Sequence, residues 1–366
     1  MTVALVLFFM ATAQEPPADI STLLRAGDAA YLQGDYDAAR QSFEQAWQMA
    51  QQTPAENPAR YDILKRLTSS HAAAGEFTEA DRYLQAAIEW RESNMGAHDL
   101  KTADDMVLEV SLCRSMKDYA RAYLLMQRVL AIHSESSGFD SRPVADDYSR
   151  MAQVYLDEKK LDEAVSALNM ALAIRTRLAG PLDPSLVADL DRLGQTYILQ
   201  SAYENAEWAY RRALVIRESI YGKMNADLIA TVDGLAYACF GQKKYDVAEP
   251  LYQRLIQLWV GSVGEDHPMV AVALDKVAVF YEEQKKFEQA NAASERAHAI
   301  RAAVLANSLI SDAMRRFDQE DKTAARVLLT RALKVLEPPN PANDKLHAQV
   351  VSMLKVVEPV RMGKKK

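Results

Sequence analysis

Seven alanines recur along the chain, at positions 39, 80, 122, 164, 206, 248 and 290, spaced 41 residues apart once and 42 apart five times. Three residues before each stands a ring or a leucine: Tyr36, Phe77, Tyr119, Leu161, Tyr203, Tyr245 and Phe287. Four residues after each come Phe43, Leu84, Met126, Leu168, Tyr210, Tyr252 and, as the exception, Ser294. Three further on lie Ala46, Ala87, Val129, Ala171, Ala213, Leu255 and Ala297. Steps of three and four return to the same face of a helix, so the whole set lines one helical stripe. A small residue at a fixed place in that stripe lets a neighbouring helix come close. Only an array of near-identical helical units satisfies such a pattern.

The array explains how 366 residues can avoid splitting around separate cores, because each unit needs only its neighbours. The 49% apolar and 25% charged content is that of an ordinary folded protein. A net charge of −7, with no long basic face, argues against nucleic acid as a partner. Val3 to Ala11 is an apolar run, followed by Ala11-Thr12-Ala13 and then polar Gln14-Glu15. We read residues 1–13 as a secretory signal peptide and 14–19 as a linker, so the chain is expected to be exported, periplasmic or secreted, in a bacterium. If that segment is not a signal, a cytoplasmic regulator is the alternative. The run is too short to span a bilayer and no later stretch replaces it.

Eight units are expected, at about 20–52, 59–95, 100–137, 143–179, 184–221, 226–263, 268–306 and 307–336. Gly96, Gly138, Gly180, Gly222 and Gly264, each 42 apart, close successive units. Pro143, Pro184 and Pro268 restart the next helix. In the first unit, Gly34-Asp35 forms the internal turn and Asp35 caps the second helix. The eighth unit is degenerate: Ala325, Leu329 and Ala332 hold the stripe, but Lys322 replaces the ring. Residues 343–358 are expected to form a C-terminal capping helix, followed by a basic tail at 359–366. No segment alternates as a strand does, so the fold class is all-α.

Leu193-Gly194-x-x-Tyr197, then Tyr203, Ala206, Tyr210 and Ala213, resembles the tetratricopeptide repeat (TPR). The 42-residue length is similar to that of kinesin light chain repeats, as are Ala248-Glu249-Pro250-Leu251-Tyr252 and Gly264-Glu265-Asp266-His267-Pro268. The departures are Glu109 and Cys113, where the family has Leu and Tyr, and the short eighth unit. The resemblance implies an α-solenoid superhelix of antiparallel helix pairs whose first helices line a concave, peptide-binding groove. It also implies a scaffold without chemistry of its own.

On those first helices Asp191, Asp233 and Asp275 are 42 apart, each two residues before an inward Leu or Val. In kinesin-light-chain-like repeats an asparagine often stands there and holds peptide backbone. Three stacked carboxylates are expected instead to favour a basic segment. Gln153, Gln195 and Tyr237 form a neighbouring column, with Ile198 and Phe240 adding apolar contact. Arg91, Arg175, Arg217 and Arg301, with His133 and Trp259 in the remaining slots, lie near the ends of second helices, where a cation complements the helix dipole. Leu24 and Asp28 in the first unit do not match the Lys and Asn of a chaperone-tail clamp. Cys113 and Cys239 are read as buried core thiols, and the six histidines show no metal-ligand spacing. No catalytic constellation, cofactor fingerprint or phosphate loop is present. The expected function is therefore a non-catalytic scaffold for a protein or peptide partner. The alternative is a structural assembly or oligomerisation element of an envelope complex.

Overall fold

A computed structural model describes residues 19–337 and 343–357. The expected signal peptide, the basic tail and the prolines at 338, 339 and 341 lie outside the described residues. Within them every regular element is a helix, and consecutive helices pack as hairpins. The chain divides into two compact units that part between Leu178 and Ala179.

The first unit holds four hairpins: α1 (Ile20–Leu32) with α2 (Tyr36–Ala50), α3 (Pro58–Ala73) with α4 (Phe77–Met95), α5 (Leu100–Ser115) with α6 (Tyr119–Ser137), and α7 (Arg142–Asp157) with α8 (Leu161–Ala179). The second begins with α9 (Val187–Leu199) and α10 (Tyr203–Tyr221), then α11 (Ile229–Gly241) and α12 (Tyr245–Val263). It ends with α13 (Pro268–Glu283), α14 (Phe287–Asp318), α15 (Lys322–Val335) and the closing helix α16 (Asp344–Val357). The helix starts follow local chemistry. The side chains of Asp35 and Asp118 accept from Ala38 and Arg121 backbone amides, and Pro143 and Pro268 occupy first-turn positions. Gly96, Gly138, Gly222 and Gly264 terminate α4, α6, α10 and α12 at positive φ. The turn inside each hairpin also needs one left-handed residue, and from the third hairpin on it is not glycine: Lys117, Lys159, Ser201, Lys243 and Lys285 fill it.

All seven stripe alanines are buried, as are the large residues four places on, from Phe43 to Tyr252. The ring that opens a second helix packs differently, on the first helix of the next hairpin. Tyr119 donates to the Asp157 carbonyl at 3.2 Å, Tyr203 meets Tyr237 with ring centroids 6.3 Å apart, and Tyr245 meets Phe280 at 5.9 Å. Phe77 is 36% exposed, and Phe287, at 62%, departs furthest from the expected packing. The boundary expected at 306/307 falls inside α14, a single helix of 32 residues. Where earlier units place a stop glycine, this one has Ala306, and neither Gly nor Pro interrupts residues 287–318. The chain runs straight on instead of folding back over Phe287. The degenerate eighth hairpin is the far half of α14 with α15, sealed by α16 around Leu309, Ala325, Leu329 and Val350.

A second periodic set joins the hairpins. Arg91 on α4 donates from Nε to Asp105 of α5 at 3.0 Å, and Lys65 and the Tyr61 hydroxyl reach the same carboxylate at 2.7 and 2.9 Å. One repeat later His133 on α6 meets Asp147 of α7 at 2.7 Å, with Arg150 at 3.0 Å. In the second unit Arg217 on α10 donates to the Thr231 hydroxyl of α11. Arg91, His133 and Arg217 are thus inter-hairpin ties, beyond the dipole role expected of the column, whereas Arg301 pairs inside its own hairpin with Asp275. Asp105, Asp147 and Thr231 share their repeat position with Asp189, and all four are buried. Burial pushes the Asp147 carboxyl above its ordinary range, against the pull of His133 and Arg150. The unusual Glu109 is buried too; Arg121 bridges it to Asp81, and burial raises its carboxyl despite that cation. Cys113 packs beside it, its thiol pushed up to about 12 by burial, and Cys239 is likewise buried and free.

Removing one partner of such a tie strands the other. Asp105→Ala leaves the buried Arg91 without its carboxylate and is expected to cost about 3–5 kcal/mol. Urea denaturation followed by circular dichroism measures it; a loss below about 1 kcal/mol would show that Arg91 finds water instead.

Candidate partner-binding face

The three aspartates of the first-helix column all belong to the second unit. Asp191 stands on α9, Asp233 on α11 and Asp275 on α13. The helical step that buries Leu193, Leu235 and Val277 leaves the residue two places earlier at the helix surface. The side chains are 24%, 32% and 47% exposed in that order, so access increases along the column.

Each carboxylate already has an internal cation. Asp191 accepts from Arg217 of α10 and, at 3.1 Å, from the Thr231 hydroxyl of α11. Asp275 accepts from Arg301 of α14. In both cases the arginine lies 26 residues downstream. The equivalent slot for Asp233 is Trp259, which packs on the apolar core. Asp233 is held instead by Lys276 of α13 at 2.5 Å, through a lysine whose side chain is itself exposed. Asp191 is thus tied twice within the fold, whereas Asp233 and Asp275 each carry a single, partly exposed ion pair, that of Asp233 being with a lysine from the next hairpin.

The second column is divided. Gln195 and Tyr237 are exposed on α9 and α11, and the next position, Val279, is exposed on α13. Tyr237 is steadied edge-on by Tyr203 and by Phe240, both at 6.3 Å. Gln153 lies in the first unit, where its amide donates to Asp157 at 3.0 Å beside Arg114. Ile198 and Phe240 are packed against the core and are not free surface.

Two residues of this face escape a reading for carboxylates. In the slot filled elsewhere by Phe43, Leu84, Met126 and Leu168, Tyr210 and Tyr252 alone carry a phenol. Tyr210 passes through a slit between two glycines: an added Cβ would stand 2.8 Å from its Cζ at Gly194 and 2.3 Å at Gly234. Its ring tip thus arrives beside Asp233 on one side and one turn from Asp191 on the other. Burial pushes its hydroxyl up to about 12, and those two carboxylates add to the shift. Burial raises Tyr252 as well, with Asp233 and Tyr237 as its neighbouring influences. The signal available in the sequence was the phenol itself, appearing at two successive repeats.

Among the described residues no three His, Cys, Asp or Glu side chains are placed to hold a metal ion. No described helix is long and apolar enough to cross a membrane.

A stack of 42-residue helical hairpins with a polar row on its first helices defines a repeat scaffold. The tetratricopeptide repeat model matches residues 146–219 and 228–303, and a second model of the same repeat matches 20–53. The chain belongs to the tetratricopeptide repeat family. No curated protein matches its sequence. BtubC (BKLC) from P. vanneervenii is 20% identical over 66% of this chain and 92% of its own, with a TM-score of 0.50. A Podosopora anserina putative kinesin light chain with nearly identical TPR-like repeats is 17% identical over 56% of this chain and 97% of its own, at 0.50. Aspartyl phosphate phosphatase F from Bacillus subtilis is 12% identical over 93% of this chain and 97% of its own, at 0.51. At these identities the likeness concerns the fold.

The two kinds of aspartate are distinguishable by stability. Asp191→Ala strands Arg217 and Thr231 between three helices and is expected to cost about 1–3 kcal/mol. Asp233→Ala loses one half-exposed pair and is expected to cost less than about 1 kcal/mol. Paired urea titrations test the order; equal costs would place both in the same environment.

Proposed function

We propose that the chain is a non-catalytic scaffold that holds a protein or peptide segment along the first-helix face of its second unit, and that the segment is basic. The observation that carries this reading is the row of same-face acceptors at Asp191, Asp233 and Asp275, rising in exposure, with Gln195 and Tyr237 beside it. Ordered helices present these groups before a ligand arrives, which reduces the entropy lost on binding a flexible chain. The internal cations make recognition an exchange: a ligand cation replaces one already present, so affinity is modest and falls with salt. The absence of an acid, base and nucleophile set in the sequence supports recognition without chemistry. Export rests on the apolar run and small-residue pattern at the start, and a mature chain beginning at Gln14 would support it.

The test is a fluorescein-labelled peptide selected on the purified protein from a random display library. Replacing all three aspartates by asparagine is expected to weaken it about tenfold at low salt, with less effect at high salt. Unchanged affinity at low salt would reject the assignment of this face.

One observation favours a second reading, assembly with further copies or with another helical protein. The ring that should close the seventh hairpin, Phe287, is uncovered, and Val272 and Val279 of α13 are exposed nearby in sequence. Light scattering decides between them. Assembly through this edge predicts a dimer or larger species that Phe287→Lys converts to monomer. A monomeric parent protein removes the reading.

A further inference from the structure

We propose that the notch around Asp233 is a seat for a guanidinium group, the arginine side chain of a bound segment, formed by the Asp233 carboxylate, the Tyr210 and Tyr252 hydroxyls and the face of Tyr237. The inference rests on the partner-binding reading above and makes it specific to one place and one chemistry.

Three independent features meet there. The first is the pair of tyrosines. Tyr210 and Tyr252 are only 7% and 3% exposed, and neither hydroxyl oxygen is among the buried side-chain atoms left without a partner, so the little exposure these residues keep is taken to include the oxygen. A phenol whose ring is buried and whose oxygen reaches solvent can hydrogen-bond to water in the free protein and to a ligand donor in its place. Gly194 and Gly234 let the tip of the Tyr210 ring lie against both backbones, Gly234 being next in sequence to Asp233, and a side chain at either glycine would collide with it. The second feature is Asp233. It is the one aspartate of the column whose repeat lacks the structural arginine, Trp259 standing in the slot. Its cation, Lys276, sits at the end of a long side chain from the next hairpin. The third is Tyr237, exposed one turn from Asp233 and steadied edge-on by Tyr203 and Phe240.

The chemistry of the set selects its ligand. One carboxylate and two phenol oxygens offer acceptors in different directions around an aromatic face. A guanidinium carries five donors in a plane, pairs with a carboxylate by two parallel bonds, and stacks on an aromatic ring. An ammonium ion satisfies fewer of these acceptors and is held more strongly by water. Lys276 therefore acts as an occupant that arginine can displace: it keeps Asp233 from standing unpaired in the free protein, and leaves when a better-fitting cation arrives.

The experiment uses the full chain with tyrosine labelled by 13C at Cζ, titrated with N-acetyl-arginine amide and followed by NMR. The phenol carbons of Tyr210 and Tyr252, assigned through Tyr210→Phe and Tyr252→Phe, are expected to shift saturably. N-acetyl-lysine amide should bind about tenfold more weakly and the uncharged citrulline analogue should give no saturable shift. Asp233→Asn should weaken binding about tenfold. Lys276→Gln, which removes the competing cation, should tighten it several-fold, a gain that a purely structural Asp233–Lys276 pair would not give. Thermal midpoints check that each variant folds, and the two Phe variants keep their rings in place. No saturable shift even with Lys276→Gln, or equal shifts with citrulline, would overturn the seat. If the selected peptide binds with sensitivity to the triple aspartate replacement but leaves both phenol carbons unmoved, the scaffold reading stands and the seat falls. If the peptide ignores the aspartates as well, both fall.

Discussion

A methyl group sets how closely one helix may approach the next in this protein. Each stripe alanine, from Ala39 to Ala290, is almost wholly buried where a second helix meets its neighbours. A larger side chain there would push the helices apart and open a gap along the seam, and interiors at native density do not close such gaps without strain. Because the same residue recurs at the same place, every contact inherits the same spacing. Rings then complete the joint: Tyr119, Tyr203 and Tyr245 reach forward onto the following hairpin, so those hairpins are not finished objects alone. Phe287 shows the consequence from the other side. Once α14 fails to turn, the ring has nothing to cover it and remains in water.

Apolar seams are tolerant of sliding, and the buried ties are not. Arg91 to Asp105 and His133 to Asp147 each join the end of one hairpin to the start of the next at one register only. Such pairs add little net stability, because stripping water from the ions offsets most of the attraction. Their effect is on specificity: a hairpin displaced by one turn would bury the carboxylate unpaired, at a cost of several kcal/mol. Glu109 is handled in the same manner. It replaces an expected leucine, and Arg121 bridges it to Asp81, so the substitution is absorbed by a local network without disturbing the stack.

Much of this was legible before any coordinate. The period, the hairpin turns, the stop glycines and the proline restarts all follow from short-range sterics and backbone hydrogen bonding, which single residues control. The run-on of α14 was legible too, in the absent glycine at position 306, but the repeat pattern suggested a boundary that local chemistry does not supply. What escaped were relations between columns. A 42-residue period marks which residues share an environment, not which column faces which. Asp189 and Asp191 are two residues apart and both belong to columns, yet the first is buried and the second half-exposed. The arginine column could be assigned to helix dipoles or to ligands, but its partners were visible only once hairpins were stacked. Tyr210 belongs to the packing stripe and its ring is buried there, but the two glycines that meet the ring tip belong to different helices.

The proposed seat lies where the repeat breaks its own rule. From Asp191 to Asp275 the fold offers an arginine 26 residues downstream to neutralise the first-helix carboxylate, and at Asp233 it offers Trp259. A tryptophan fills the volume and feeds the core, but brings no charge. The deficit is made good by a lysine reaching across from the next hairpin, with high side-chain entropy and ready access to water. Tyr210 and Tyr252, one repeat apart on α10 and α12, both feel the Asp233 charge. The stack itself does not call for a phenol in this slot, since Phe43, Leu84, Met126 and Leu168 fill it in other repeats. The combination is intelligible if the missing partner arrives from outside, and its geometry then specifies a planar, multiply donating cation more narrowly than any single residue of the face does.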